Sequence, residues 1–394
     1  MEKQLVIGRN IICKLKEAGF VSYFVGGYVR DKLLEIESAD IDITTSATPT
    51  EVIELFDNVK ETGKKYGSVT VIEEELKYEV TTFRSDGTYL DNRRPDEVMF
   101  SKNIEDDLSR RDFTINAIIM DEEDNITDLF GSIEDLNNKI IKTINNPIDR
   151  FNEDSLRMLR AIRFVSKLGF DIEEETYEAM RKLPHLVKNI SIERVMIELD
   201  KTLRGKYRNK ALKYLINSGI DKELYGLSSG LNFISDIHAE LYPLEVFIIC
   251  FILEDIDDIW RFSNKDSRLI RQVMDLHEVT KEDIFNKFIV YVNGLETCLL
   301  TNKINVVLGY SDQEDLIRKI DKELPIKDVC DLKFKGQDII WLTELRRKSW
   351  IGRIVDDLKY NVIMGTLPND YDILKEYALE KVQELILEMG DTDD

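Results

Sequence analysis

Asp40 and Asp42 stand two residues apart, downstream of the run Gly26-Gly27-Tyr28-Val29-Arg30-Asp31. In an extended strand, residues i and i+2 project from one face, so the carboxylates of Asp40-Ile41-Asp42 would point the same way. Paired carboxylates are hard oxygen donors suited to Mg²⁺. A metal held there could grip a triphosphate, activate a hydroxyl and stabilise a leaving group. The glycine pair, between a β-rich run and a helix, would let backbone N–H groups approach a phosphate. Asp-x-Asp alone is more often two surface acids; the ordered pair of motifs favours the chemical reading. Glu79, in the β-rich run Lys77 to Phe83, is either a third carboxylate on a neighbouring strand or an ordinary strand acid.

Two further clusters bring cations. The stretch Asp107 to Ala117 (DLSRRDFTINA) places Arg111 and Asp112 ahead of apolar Phe113, Ile115 and Ala117. Guanidinium forks match phosphate oxygens, and Asp112 could accept from a ribose hydroxyl. The bland alternative is a helix start capped by Ser109 or Asp112. The stretch Glu153 to Phe164 (EDSLRMLRAIRF), with Val165 just after it, puts Met158, Ile162 and Val165 on one helical face and Arg157, Arg160 and Arg163 on another. A solvated charged face is the default for that pattern. On a continuous helix, Asp154 and Arg157 would lie about 60° apart and act together, while Arg163 would face away, toward a phosphate. A carboxylate accepts and a guanidinium donates. An Asp154/Arg157 pair thus complements cytosine and adenine, which offer an exocyclic amino donor beside a ring-nitrogen acceptor. Uracil and guanine reverse that order and would leave polar groups unpaired, at about 1–3 kcal/mol each.

The elements that must position these residues divide at about residue 150. Before it, strand and helix signals mix: a helix over Ile7 to Ala18 stopped by Gly19, a strand over Val21 to Val25, and strands Gly67 to Ile72 and Lys77 to Phe83 joined by a Glu73-Glu74-Glu75 turn. Arg84 to Pro95 reads as a mobile loop. Residues 151–394 read as all-α, and Asp391 to Asp394 as a frayed tail.

Composition narrows the class. The 394 residues carry 54 Lys+Arg against 76 Asp+Glu, a net charge of −22, which argues against a broadly basic nucleic-acid coat. Yet residues 151–215 are net positive. Within them Lys201, Arg204, Lys206, Arg208, Lys210 and Lys213 occur with no intervening acid, a band suited to an RNA backbone. Four scattered cysteines and three unrelated histidines leave no disulfide framework, zinc ribbon or histidine-based catalytic set, and suggest a reducing cytoplasm. The acidic start MEKQLVIGRN does not read as a signal peptide. The apolar run Val246 to Leu253 is far short of a membrane span.

Taken in order, GGYVRD, DID, GKKYGSVTV to EVTTFR, RRDFTINAI, EDSLRMLRAIRF and ISIERVMIEL resemble the class II tRNA nucleotidyltransferase / poly(A) polymerase family, most of all its bacterial CCA-adding members. The resemblance spans about the first 205 residues. It implies an α+β fold: a polymerase β-like catalytic head (1–150), then a helical neck (151–215), body (216–310) and tail (311–394), arranged like a seahorse. It implies Mg²⁺ on Asp40 and Asp42 with Glu79 as helper. Nucleotide contacts would come from Gly27, Arg30, Arg111, Asp112, Asp154, Arg157, Arg160 and Arg163, with CTP, ATP and tRNA as partners and room for a homodimer. Glu193 and Arg194 would brace the template helix. The long Arg84–Pro95 loop favours a member able to add the terminal A. An A-adding enzyme, a poly(A) polymerase and a catalytically silent RNA-binding or nucleotide-sensing protein remain alternatives. Near the C-terminus, Lys348-Ser349-Trp350-Ile351-Gly352 departs from the Gly-Pro-Trp pattern expected of the tail.

Overall fold

A computed structural model describes residues 2–37, 40–86, 98–254, 259–343 and 348–390. The chain forms two compact units, 1–261 and 262–394.

The first unit is built on a seven-stranded sheet. Its strands are β1 (Ser22–Val25), β2 (Asp42–Thr45), β3 (Val59–Lys60), β4 (Ser68–Glu73), β5 (Leu76–Thr82), β8 (Ile118–Met120) and β9 (Ile126–Asp128). Between β5 and β8 the hairpin partners β6 (Arg84–Asp86) and β7 (Val98–Phe100) pair separately. The sheet order is β3-β4-β5-β2-β1-β8-β9, antiparallel except where β2 runs parallel to β5. Alternation makes one face of these strands apolar: Phe24, Ile43, Val69, Val71, Tyr78 and Val80 are buried, as are Ile11, Ile12 and Leu15 of α1 (Glu2–Glu17). Each contributes about 1.5–3 kcal/mol. Another cluster, Val25, Leu108, Ala117, Ile119 and Ile144, ties β1 and β8 to α4 (Ile104–Ser109). The remaining head helices are α2 (Gly27–Leu33), α3 (Pro49–Leu55) and α5 (Ser132–Asn137).

Helix α1 starts five residues before the expected helix. The Glu74–Glu75 link is a tight turn with both residues at positive φ (50° and 67°). Of the expected loop Arg84 to Pro95, residues 84–86 form β6; the rest lies outside the described residues, as does the Asp391–Asp394 tail.

Beyond the sheet come α6 (Pro147–Glu153), α7 (Leu156–Leu168), α8 (Glu174–Lys182), α9 (Ile192–Leu203), α10 (Arg208–Asn217), α11 (Ser228–Ser235) and α12 (Pro243–Leu253). One correction applies to the all-α expectation: Asp171–Ile172 forms a short strand, β11, parallel to β10 (Ile140–Ile141). Met158, Ile162 and Val165 of α7 are buried as expected, and α7 packs on α9 and α10.

Among its described residues the second unit has only helices and their connections, with α13 (Asn264–Thr280), α14 (Lys287–Asn293), α15 (Leu295–Val307), α16 (Glu314–Glu323), α17 (Gly336–Thr343), α18 (Lys348–Met364) and α19 (Tyr371–Gly390). Its larger core includes Phe334, Leu358, Ile363 and Leu374. The boundary between the two units falls within 216–310, the segment expected as the body. Among the described residues no helix is long and apolar enough to cross a membrane.

Candidate active site

The sheet register assembles the carboxylates. Asp42 opens β2 opposite Val25, the last residue of β1, and beside Glu79 of β5. Gly26 follows at once with φ 74° and ψ −136°, a conformation open to glycine. A Cβ there would stand 3.2 Å from Arg111 Nη1 and 3.6 Å from Asp42 Oδ2, so glycine lets the guanidinium and the carboxylate close on the turn. Asp40 precedes the strand rather than belonging to it, so the two-residue alternation does not apply to the pair. Both side chains nevertheless line one cleft. Burial, then Glu79, push the Asp42 carboxyl up to about 6; Asp40 adds to this and Arg111 opposes it.

Crowded hard oxygen donors of this kind are relieved by a divalent cation, so the residues present fit a hard metal. Among the described residues no three Asp, Glu, His or Cys side chains are grouped to hold an ion. Asp40 and Asp42 would hold the cation, leaving further ligands to phosphate oxygens and water. Glu79 is the neighbour of Asp42 across the ladder but does not line the cleft.

The cleft has a volume of about 1310 Å³. It brings together Gly27, Arg30, Asp40, Asp42, Arg111, Asp112, Asp154, Arg157, Arg160, Arg163, Lys201, Arg204 and Lys206, drawn from distant parts of the sequence. Among the described residues its lining holds twelve cationic side chains and four carboxylates.

Arg111 is set by Asp107, whose buried carboxylate also takes two bonds from Arg110. The RRD segment therefore ends α4 instead of starting a helix, and Asn103 is the cap. Asp112 accepts from Arg160 Nε (2.7 Å), Asn116 Nδ2 (2.9 Å) and the Phe113 N–H (2.9 Å). Burial opposes its ionisation, but Arg160 and these donors hold it well below the usual carboxylate range. Arg30 is buried and donates to Asp31 and Asn116, while Asp31 also accepts from Lys167 at 2.8 Å. The Phe164 ring lies among three guanidiniums, with Arg163, Arg30 and Arg160 at 4.7, 5.1 and 5.8 Å from its centroid.

The helix carrying Asp154 and Arg157 is not continuous. Asp154 is extended (φ −141°, ψ 101°) between α6 and α7, so the 60° relation on one helix does not hold. Its side chain competes with the helix: Oδ1 accepts the Leu156 N–H at 3.1 Å. Oδ2 accepts from Arg194 of α9 at 2.9 Å, which is the brace expected of that motif. Arg157 is buried instead of lying on a solvated face. It donates to the Arg150 carbonyl (2.7 Å) and to Glu153 (2.8 Å). Arg163 pairs with Glu198 and lines the cleft.

The basic band splits. Lys201, Arg204 and Lys206 face the cleft. Arg208 instead donates to the carbonyls of Ala239 and Leu241. Lys210 pairs with Asp171 and Lys213 with Asp236, and both border a separate notch beside Tyr177 and Tyr214. Tyr207 packs over Gly169. The cleft also contains Tyr66 and Arg84, which lie in the GKKYGSVTV and EVTTFR runs with no role assigned, and Lys167, which lies in none of the motifs. Lys167 had a signal: it continues the α7 cationic row one turn beyond Arg163.

Comparison with known proteins finds related sequences and a related fold. A model of the poly A polymerase head domain matches residues 22–142, one named "Probable RNA and SrmB- binding site of polymerase A" matches 169–225, and one of tRNA nucleotidyltransferase domain 2 matches 253–378. The CCA-adding enzyme of Ligilactobacillus salivarius is 37% identical over 95% of this chain and 96% of its own. That of Oceanobacillus iheyensis is 38% identical over 94% and 96%. The crystal structure of the Bacillus stearothermophilus CCA-adding enzyme in complex with CTP superposes with a TM-score of 0.82 at 31% identity, covering 97% of this chain and 98% of that one. The chain thus belongs to the tRNA nucleotidyltransferase / poly(A) polymerase family, on the side of its CCA-adding enzymes.

Proposed function

We propose that the protein adds C, C and A to the 3′ end of tRNA, taking CTP and then ATP. One observation carries this reading. A single cleft holds the Asp40/Asp42 pair, the Asp154/Arg157 pair and a row of cations. The RNA 3′ hydroxyl attacks the α-phosphorus, a new phosphodiester bond forms, and pyrophosphate leaves. Bound at Asp40 and Asp42, Mg²⁺ would supply charge neutralisation at the transferring phosphoryl group. Arg111, Arg160 and Arg163 neutralise phosphate oxygens, and Asp112 orients Arg160.

Asp154 and Arg157 read the base. Each arrives held by the protein, which lowers the entropy cost of presenting a fixed donor–acceptor edge. Lys201, Arg204 and Lys206 take the tRNA backbone. The same reading carries the head, neck, body and tail division at 150, 215 and 310, a cytoplasmic location and a homodimer, the last open to sedimentation analysis.

The test is incubation with tRNA ending before CCA and labelled CTP and ATP. Addition of C, C and A supports the proposal. Addition of A alone to a CC-ending substrate marks an A-adding enzyme, and long A tails on arbitrary RNA mark a poly(A) polymerase. No label in any reaction refutes catalysis and favours a binding protein. Arg157→Ala or Asp154→Ala should erode the preference for C and A; unchanged selection in both would sink the base-reading assignment.

A further inference from the structure

Arg150 sits near the end of α6, is buried, and does not line the cleft. Its guanidinium reaches the segment that carries Arg111. Nη2 donates to the carbonyl oxygens of Arg110 at 2.5 Å and Arg111 at 2.7 Å. Nη1 donates to Glu153 Oε2, which also accepts from Arg157 Nη1 at 2.8 Å. Arg157 in turn donates to the Arg150 carbonyl and, at 3.3 Å, to that of Arg110. Two guanidiniums, bridged by the Glu153 carboxylate, therefore converge on the Arg110 carbonyl. On its other side, Asp107 ties Arg110 and Arg111 to Thr44, two residues beyond Asp42 on β2. A continuous run of bonds thus joins the carboxylate strand to the loop that presents Asp154. The planar fork of an arginine can serve two carbonyls and a carboxylate at once, which a lysine ammonium on a flexible stem does less well.

We propose that Arg150 is a positioning residue for nucleotide selection. It clamps the Arg110–Arg111 peptide to the Glu153–Arg157 loop and so fixes the spacing between phosphate-binding and base-reading groups without touching the nucleotide. This rests on the nucleotidyl-transfer reading above. A matched base needs its donors and acceptors met together, whereas a mismatched base gains little from correct spacing. Loosening the clamp should therefore cost the matched nucleotides most.

The experiment measures kcat and KM for CTP, ATP, UTP and GTP with wild-type protein, Arg150→Lys and Arg150→Gln, beside thermal melting of each. Wild-type protein that adds no C, C and A overturns the functional reading, and the proposal with it. If wild type is active, the expected result is folded variants whose CTP-over-UTP and ATP-over-GTP preference in kcat/KM falls about tenfold, the size of one lost charge-assisted hydrogen bond, with KM for CTP and ATP raised. A folded variant with unchanged preference, an equal loss on all four nucleotides, or failure of both variants to fold would assign Arg150 to the scaffold and overturn the proposal.

Discussion

Replacing Asp107 by Asn tests whether the charge on that residue, and not only its shape, holds Arg111 in the cleft. The carboxylate is fully buried. Oδ1 accepts from Arg110 Nε (2.9 Å) and Nη2 (2.6 Å); Oδ2 accepts from Arg111 Nη2 (3.1 Å) and Thr44 Oγ1 (3.1 Å). Burial pushes its pKa up, but the Arg111 and Arg110 guanidiniums outweigh that and hold it below the ordinary value. Asn keeps the volume and one acceptor, removes the charge, and turns a donor toward Arg111. Breaking a buried ion pair from one side costs about 3–5 kcal/mol. The guanidinium side chains remain 15% and 18% exposed, so water recovers part of that, and the expected loss is about 2–3 kcal/mol. At about 2–4 °C per kcal/mol for a unit of this size, the melting midpoint of the full chain should fall by about 4–12 °C at pH 7. A carboxylate with a depressed folded pKa stabilises above its unfolded value of about 4, and that contribution is lost as pH falls through the folded value. The gap between wild type and variant in a circular-dichroism melt should thus be full at pH 7 and narrow below about pH 4. A gap under about 1 °C at pH 7, or one independent of pH, would refute the electrostatic account.

Other perturbations are simpler. Asp42 behaves oppositely to Asp107. With its carboxyl at about 6 the folded state binds the extra proton between the unfolded value and that point, so this group adds stability as pH falls and a divalent cation must displace the proton. Calorimetric Mg²⁺ affinity should weaken from pH 7 to pH 5; a flat profile would contradict this. Gly205→Ala puts a Cβ 2.0 Å from Ser166 Oγ and 2.6 Å from the Ser166 carbonyl oxygen, and should cost about 3 kcal/mol or more in urea unfolding. Gly352→Ala, exposed on α18 with nothing within 4 Å, should be neutral or stabilise by up to about 1 kcal/mol. Lys201→Glu or Lys206→Glu should weaken tRNA binding and flatten its salt dependence by about one unit each or more, while Lys213→Glu should leave both nearly unchanged.

Much of the site was legible because its residues come in short, ordered motifs. Gly26, Asp42, Arg111, Asp112 and the α7 arginines all reach one cleft, and the alternation of β4 and β5 around the two-glutamate turn matches the expected hairpin. What escaped was set by competition between local bonds. A helical wheel drawn through Glu153 to Phe164 assumes a continuous helix. Asp154 breaks it by bonding the Leu156 N–H and the Arg194 guanidinium, an arrangement that depends on a helix 40 residues away. The basic band read as one surface because it lacks acids in sequence, yet Asp171 and Asp236 supply them in space. Asp107 had a readable cue, lying three and four residues before two arginines. Its burial, which gives that cue its weight, comes from tertiary packing.

The cleft's twelve cations lie in a chain of net charge −22, so the remaining residues carry an even larger negative excess. A polyanion that drifts toward those residues is repelled at separations near the Debye length of about 8 Å in physiological salt. Encounters are thereby sorted before any contact forms. An RNA that arrives sideways diffuses off, and one that finds the cleft mouth is drawn inward. The acidic composition would thus act as a gate on traffic, sparing the cleft from having to reject every RNA by fit alone.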